Sequence, residues 1–308
     1  MSAHVSSSSA FTRRDVEFAG AGGVTLRGWY YLPVDGASDG PVPGVVLAHG
    51  FSAVKEMALD RFAEVFASGG LAVLVYDHRN LGASDGEPRQ RIDPWAQIRD
   101  YGRALDWLGS RPEVGADRLG VWGSSFSGGE VLVIGATDDR VRAVVAQAPY
   151  VGDPELDDAD GAAFAAIRAA AMGDEPGPGE QLVGPLPVVA ADPAAPAMLP
   201  QPESWEWFQT LAQQAPSWRN EVTLLLDGAP APFEPALAAR QLAATPLLMI
   251  VATEDRVADT TLALAAFERA GEPKRLELVV GDHFVVYHGS GFDQASSAAR
   301  DFLIEVLT

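Results

Sequence analysis

Alternating strand and helix patterns constrain the fold of this chain more than any other feature. Short continuous apolar runs, typical of strands buried on both faces, alternate with segments whose apolar residues recur at helical spacing. The predicted strands are residues 44–48, 71–76, 118–122, 141–148, 246–251 and 275–280, and the predicted helices are 55–68, 94–108, 234–243, 259–270 and 294–307. Because strands joined through helices pair in parallel, the pattern predicts a parallel sheet of βαβ units. Residues 14–32 alternate apolar and polar side chains around a Gly-rich turn, which predicts an antiparallel hairpin before the first parallel strand.

Residues 151–235 interrupt this alternation. The segment holds 13 of the chain's 22 prolines, including an Ala/Pro-rich stretch over 185–202 that no central strand would accept. Only two helices are predicted in it, around 162–172 and 204–214. Since the interruption is too long for a loop, we expect an inserted cap at 151–235, a core formed by 13–150 and 236–308, and a flexible tail at 1–12.

Composition excludes several classes of function. The chain has no cysteine, so it has neither a disulfide framework nor a thiolate metal site. Its net charge of −20 argues against a nucleic-acid partner, which requires clustered basic residues. No apolar run reaches membrane length and the first residues lack a signal-peptide pattern, so the expected compartment is the cytoplasm without membrane association. No residue spacing indicates a metal ion, and no phosphate-binding loop indicates a nucleotide, so we expect no cofactor.

Residues 119–130, read as LGVWGSSFSGGE, predict a strand, a tight turn and a helix. If Ser125 occupies the apex, small neighbours at positions 123 and 127 allow a strained backbone that exposes its hydroxyl. Ser127 stands where glycine is usual in this G-x-S-x-G pattern, and Gly128 and Gly129 keep the helix start bare. Ser124 and Ser127 are alternatives for the exposed hydroxyl, and a Gly/Ser-rich turn without chemistry is the simplest alternative.

Two further polar side chains follow predicted strands. Asp255 follows strand 246–251 and His283 follows strand 275–280. The carboxyl ends of parallel strands meet at one sheet edge, so hydroxyl, carboxylate and imidazole are expected to converge there. A serine hydroxyl needs an imidazole to take its proton and a carboxylate to orient that imidazole. Glu254 is the alternative carboxylate, and His288 is the alternative imidazole.

These motifs together resemble the α/β-hydrolase fold. The residues that carry the resemblance are HGF at 49–51, YDHRNLGASDG at 76–86, GSSFSGG at 123–129, the TED turn at 253–255 and GDHF at 281–284. Within the fold, the chain looks most like the polyketide transferase-like and X-prolyl peptidase-like esterases. The resemblance implies a mostly parallel twisted sheet of about eight strands flanked by helices, with an inserted cap.

The same resemblance implies roles for individual residues. Ser125 would be the nucleophile, His283 the general base and acid, and Asp255 the carboxylate. The backbone N–H groups of Phe51 and Phe126 would form the oxyanion hole. His49 is expected to support the loop backbone, and residues 77–79 are expected to form a structural ion-pair and hydrogen-bond cluster. Trp205, Trp207 and Phe208 are candidates for the substrate pocket, with cap core as the alternative.

The resulting hypothesis is a serine hydrolase that cleaves an ester, thioester or lactone of a small, neutral or apolar acyl substrate. An acyltransferase or cyclase acting on a polyketide-like group would use the same three side chains, and a non-catalytic ligand-binding protein is the hypothesis from another class. The serine excludes the branches of the fold that use an aspartate nucleophile. The resemblance also leaves a homodimer open, because surface helices of this fold often associate.

Overall fold

A nine-stranded sheet forms the centre of the molecule. The computed structural model describes residues 5–7, 10–34, 40–173, 181–227 and 229–308. The sheet strands are β1 (Val5–Ser7), β2 (Phe11–Ala19), β3 (Thr25–Pro33), β4 (Val42–Ala48), β5 (Ala72–Tyr76), β7 (Val114–Ser124), β8 (Val141–Gln147), β11 (Leu247–Ala252) and β12 (Lys274–Val279). Their order is β1-β2-β3-β5-β4-β7-β8-β11-β12. Pairing is antiparallel from β1 to β5 and parallel from β5 to β12, which confirms the α/β-hydrolase fold with a mostly parallel sheet.

Helices cover both faces of this sheet. They are α1 (Leu59–Ser68), α2 (Pro94–Gly109), α3 (Phe126–Thr137), α6 (Pro235–Ala239), α7 (Thr260–Arg269) and α8 (Gly289–Leu307). Two more helices, α4 (Ala162–Met172) and α5 (Pro202–Ala212), lie within residues 151–235. In β4, Val45 and Leu47 pack in the layer that contains α1 and α8, whereas Val46 and Ala48 pack in the layer that contains α2, α3 and α6. Alternate residues therefore serve opposite cores, which explains why the strand is a continuous apolar run. No helix in the described part of the chain is long and apolar enough to cross a membrane.

One predicted helix start is confirmed, and three other predicted helices have different bounds in the structure. The N-terminus of α2 is as predicted, since the Asp93 carboxylate accepts the N–H groups of Trp95 and Ala96. Helix α1 begins four residues later than predicted, because the Asp77 carboxylate takes the Lys55 N–H and holds that segment in a turn. The last helix begins five residues earlier than predicted, at Gly289, and α6 is shorter than predicted.

Residues 151–235 contain two predicted helices and two strands that sequence patterns missed. The helices are α4 and α5, close to their predicted positions. The strands β9 (Gln181–Leu186) and β10 (Val222–Asp227) form a second sheet with β6 (Arg91–Ile92), in the order β6-β10-β9. Pro185 is accepted because β9 is an edge strand that pairs on one side only. Of the tail expected at 1–12, residues 1–4 and 8–9 lie outside the described residues, and Val5–Ser7 pairs with β2.

The strand order also predicts where a ligand would bind. From β4 the chain continues to β5 on one side, whereas β7 lies on the other side of β4. In open α/β sheets, ligands bind at the carboxyl ends of strands where the order reverses in this way. The loop after β4 and the turn after β7 meet at this point.

Candidate active site

The turn between β7 and α3 places Ser125 in a strained backbone conformation. Its φ is 58° and its ψ is −117°, a region that non-glycine residues rarely occupy. Gly123 makes the turn possible, because a Cβ at that position would lie 2.2 Å from the Ser127 carbonyl oxygen. The Ser125 N–H donates to the Gln147 carbonyl, 2.8 Å away, and this bond ties the turn to the end of β8.

Ser125, His283 and Asp255 form a continuous chain of hydrogen bonds. Ser125 Oγ lies 3.0 Å from His283 Nε2, and His283 Nδ1 lies 2.6 Å from Asp255 Oδ2. The other carboxylate oxygen, Asp255 Oδ1, accepts the N–H groups of Val257 and Ala258 at 2.8 Å each. Since both carboxylate oxygens act as acceptors, His283 Nδ1 donates and its Nε2 lone pair faces the Ser125 hydroxyl. The arrangement can take a proton from the serine and stabilise the imidazolium that results.

The alternative serine, carboxylate and imidazole side chains do not take part in this hydrogen-bond chain. Ser124 Oγ is buried, 2.5 Å from the Tyr287 hydroxyl oxygen. Ser127 is buried too, and its hydroxyl donates to Glu130 Oε2 over 2.7 Å. Glu254 and His288 are both exposed.

The loop after β4 lies directly against the nucleophilic turn. A Cβ at Gly50 would lie 2.9 Å from Ser125 Cβ, so only glycine allows this approach. The next N–H belongs to Phe51, and the N–H of Phe126 is the first of helix α3, where the helix leaves its amides unpaired and its dipole favours negative charge. The Phe51 and Phe126 rings pack edge to face with their centroids 5.7 Å apart.

His49 holds the peptide unit from which the Phe51 N–H projects. The His78 N–H donates to His49 Nε2 over 3.2 Å, so the proton of the neutral ring is on Nδ1, which donates to the Gly50 carbonyl over 3.0 Å. Burial, followed by the nearby His78, lowers the pKa of His49 to about 3, which keeps the ring neutral. In a trans peptide the carbonyl and N–H point in opposite directions, so this bond orients the Phe51 N–H. The expected support of the loop backbone by His49 therefore has a specific geometry.

The three residues after β5 do not form one cluster among themselves. Asp77 binds the Lys55 ammonium over 2.6 Å, and Arg79 binds Asp100 over 2.7 Å. His78 Nε2 lies 2.9 Å from Ser127 Oγ and so contacts the start of α3. Each residue is structural, as expected, but each binds a partner from a different element.

A small chamber adjoins Ser125 and His283. Its volume is about 20 Å³, and Phe51, Leu199, Trp207, Phe208, Phe284 and Tyr287 line it. Two of the three predicted pocket aromatics, Trp207 and Phe208, are among these residues, whereas Trp205 does not line the chamber and packs against an apolar cluster that includes Phe208 and Trp218. Sequence reasoning missed Leu199, Phe284 and Tyr287. The signal for the last two was their proximity to His283 in the chain. In the described residues, no group of His, Asp and Glu side chains is arranged to hold a metal ion.

Comparison with known proteins identifies the family. Residues 22–284 match the model of the X-Pro dipeptidyl-peptidase (S15) family. The chain belongs to this family. The match includes all three residues of the Ser125, His283 and Asp255 arrangement.

Individual relatives of this S15 member have names that describe hydrolysis or acyl transfer. A thiohydrolase of Aspergillus aculeatus is 32% identical over 96% of this chain and 94% of its own length. A polyketide transferase of Aspergillus fumigatus is 30% identical over 94% of this chain and 97% of its own length. The crystal structure of the α/β-hydrolase GrgF from a Penicillium species superposes with a TM-score of 0.73 at 26% identity and covers 96% of this chain and 99% of that one. These relatives support a hydrolase or an acyl-transfer enzyme.

Proposed function

We propose that this protein is a serine hydrolase that cleaves an ester or thioester through an acyl-enzyme intermediate. The observation that carries the proposal is the continuous hydrogen-bond chain from Ser125 Oγ to His283 and on to Asp255, with distances of 3.0 and 2.6 Å. It starts at a strained turn that presents the hydroxyl. Such a chain is the arrangement that makes a serine hydroxyl nucleophilic near neutral pH.

In the proposed mechanism, Ser125 Oγ attacks the carbonyl carbon while His283 Nε2 takes the hydroxyl proton. The N–H groups of Phe51 and Phe126 stabilise the oxyanion, and one such donor contributes about 3 kcal/mol to lowering the barrier. His283 then gives its proton to the leaving alcohol or thiol, and the acyl group stays on Ser125. A water molecule, deprotonated by His283, releases the acid and restores the serine.

An uncharged acyl group suits the chamber beside Ser125. Its lining is mostly apolar, with Phe51, Leu199 and Phe208 among its walls. An ionised acyl group would lose its hydration there without gaining a charged partner. We therefore propose a small-molecule substrate whose acyl part is neutral or apolar.

A fluorophosphonate probe tests the mechanism. We expect one covalent label, placed on Ser125 by mass spectrometry, absent in Ser125→Ala and strongly reduced in His283→Ala. Ser124→Ala is the matched control, since it removes the neighbouring hydroxyl and should keep the label. A label on Ser124 or Ser127, or none on folded protein, would refute the proposal.

Acyl transfer to an acceptor other than water is the second candidate. It is favoured by the 30% identical relative that is named a polyketide transferase. Both reactions share the acyl-enzyme, so the fate of that intermediate distinguishes them. Turnover of a nitrophenyl ester or acyl thioester with and without an added alcohol or amine would show either free acid alone or a new ester or amide.

A further inference from the structure

Two cavities with shared lining residues lie at the candidate active site, and His283 lines the smaller one. The chamber at Ser125 measures about 20 Å³, which is room for about one water molecule. The second cavity, here called the outer cleft, measures about 430 Å³ and lies between helix α5 and residues 282–288. Small-molecule sites usually measure about 300–1,000 Å³, and of these two cavities the outer cleft falls in that range.

Three aromatic side chains separate the chamber from the outer cleft, since Trp207, Phe284 and Tyr287 line both. The Trp207 ring stacks on Phe284 with centroids 5.1 Å apart and planes at 25°, and it lies 5.1 Å from the Tyr287 ring. Tyr287 is anchored at both ends, by its hydroxyl to Ser124 and by its carbonyl to the Arg61 guanidinium at 2.9 Å. Trp207 alone comes from residues 151–235, on helix α5. A rotation of this one side chain would join the two cavities.

The position of His283 relates the outer cleft to the leaving group. In the proposed mechanism, His283 passes its proton to the departing oxygen or sulfur, so that atom must lie beside the imidazole. The cleft is lined by residues on both sides of His283 in the chain: Asp282, Phe284, Tyr287 and His288. His283 itself lines the chamber, so a group that leaves past its imidazole would reach the cleft across the aromatic side chains that line both cavities.

The charges of the cleft restrict what it can hold. Its lining includes three carboxylates, Glu203, Glu206 and Asp282, and one guanidinium, Arg61. Glu203 is paired with Arg256 at 2.8 Å, so the excess negative charge of the cleft comes from Glu206 and Asp282. Arg61 is engaged with the Tyr287 carbonyl, and its guanidinium lies 3.9 Å over the Phe292 ring. An anionic group would meet an excess of like charge, whereas an uncharged or cationic group would not.

We propose that the outer cleft binds the alcohol or thiol part of the substrate, that this part is uncharged or cationic, and that Trp207 gates its passage to Ser125. This inference rests on the proposed serine-hydrolase function. It adds which part of the substrate the outer cleft binds and which charge that part can carry.

Two substrate series test the assignment. In the first, the acyl group is always acetyl and the thiol is lengthened from ethyl to hexyl, with thiol release as the readout. In the second, the leaving group is always nitrophenol and the acyl group is lengthened from acetyl to octanoyl. Trp207→Ala should change kcat/KM across the thiol series by about tenfold or more, and across the acyl series by less, since Trp207 also lines the chamber at Ser125. Trp207→Phe, which keeps an aromatic wall, is the matched control and should resemble the parent protein.

Charge is tested with acetylthiocholine and S-acetylmercaptopropionate, which carry a cation and an anion on the thiol. The parent should prefer the cationic thioester, and Glu206→Lys should lower that preference about fivefold or more. Glu206→Gln should give an intermediate preference.

Each remaining outcome contradicts a specific statement. A Trp207→Ala profile that changes only in the acyl series would assign the cleft to the acyl chain and overturn the proposal. Unchanged profiles in both series would show that Trp207 is not a gate. Fluorophosphonate labelling separates this failure from failure of the proposed function: if Ser125 is labelled in every variant, the hydrolase mechanism survives and only the cleft assignment is wrong.

Discussion

Replacing His49 by asparagine and by glutamine would separate two hydrogen bonds that one imidazole makes. His49 Nδ1 donates to the Gly50 carbonyl over 3.0 Å, and His49 Nε2 accepts the His78 N–H over 3.2 Å. The amide nitrogen of asparagine can take the place of Nδ1 and keep the first bond. The amide oxygen of glutamine can take the place of Nε2 and keep the second. Each variant should therefore lose one bond of the pair.

The two variants should lose similar stability and very different activity. A lost hydrogen bond that leaves a buried polar group unpaired costs about 1–3 kcal/mol, so the free energy of unfolding should fall by that amount in both. Only His49→Gln releases the Gly50 carbonyl and with it the Phe51 N–H. Complete loss of an oxyanion donor lowers kcat about 100- to 1,000-fold, so a donor that is misoriented part of the time should lower it about 10- to 100-fold. His49→Asn should keep kcat within about fivefold of the parent, because the donor to Gly50 is retained.

The assay is kcat and KM on nitrophenyl acetate, together with urea unfolding of the same preparations. A positioning role predicts that kcat falls in His49→Gln with little change in KM, since the oxyanion exists only in the transition state. Equal kcat in the two variants, or a larger loss in His49→Asn, would refute the reasoning. A fall in kcat that tracks only the fraction of unfolded protein would refute it as well.

Three further predictions concern the nucleophilic turn, acid stability and helix α2. Gly123→Ala should abolish fluorophosphonate labelling in folded protein, because its Cβ would lie 2.2 Å from the Ser127 carbonyl oxygen; Gly102→Ala, whose Cβ meets only the end of an arginine side chain, is the control. The pKa of His49 is lowered from 6.5 to about 3, so between these pH values the unfolded chain binds a proton that the native protein does not. Native stability should therefore fall as the pH is lowered through this range. In urea titrations, the slope should be steeper than that of His49→Asn by up to about 1.4 kcal/mol per pH unit; equal slopes would contradict this. Asp93→Ala should lower the free energy of unfolding by about 1 kcal/mol, because its carboxylate caps α2, and an unchanged urea midpoint would show that the cap contributes nothing.

Local sequence patterns predicted much of the sheet and the reactive side chains. A strand that is buried on both faces is a nearly continuous apolar run, so β4, β5 and β11 could be predicted from such runs alone. The turn at Ser125 could be predicted because its strained backbone conformation requires small neighbouring residues. The meeting of Ser125, Asp255 and His283 followed from parallel topology, which brings strand ends that are distant in sequence to one edge.

Contacts between distant segments decided the rest. The second sheet was missed because 35 residues separate β9 from β10 and because β9 carries a glycine and a proline, which local patterns assign to loops. The hydrogen bond from His49 Nδ1 to the Gly50 carbonyl depends on the His78 N–H. This N–H lies just after strand β5, and by donating to His49 Nε2 it keeps the ring proton on Nδ1. The separation of chamber and cleft by Trp207 depends on how residues 151–235 fold back over Phe284 and Tyr287. Periodicity encodes which face of an element is apolar, but not which partner covers that face, and the partner is what shapes the site.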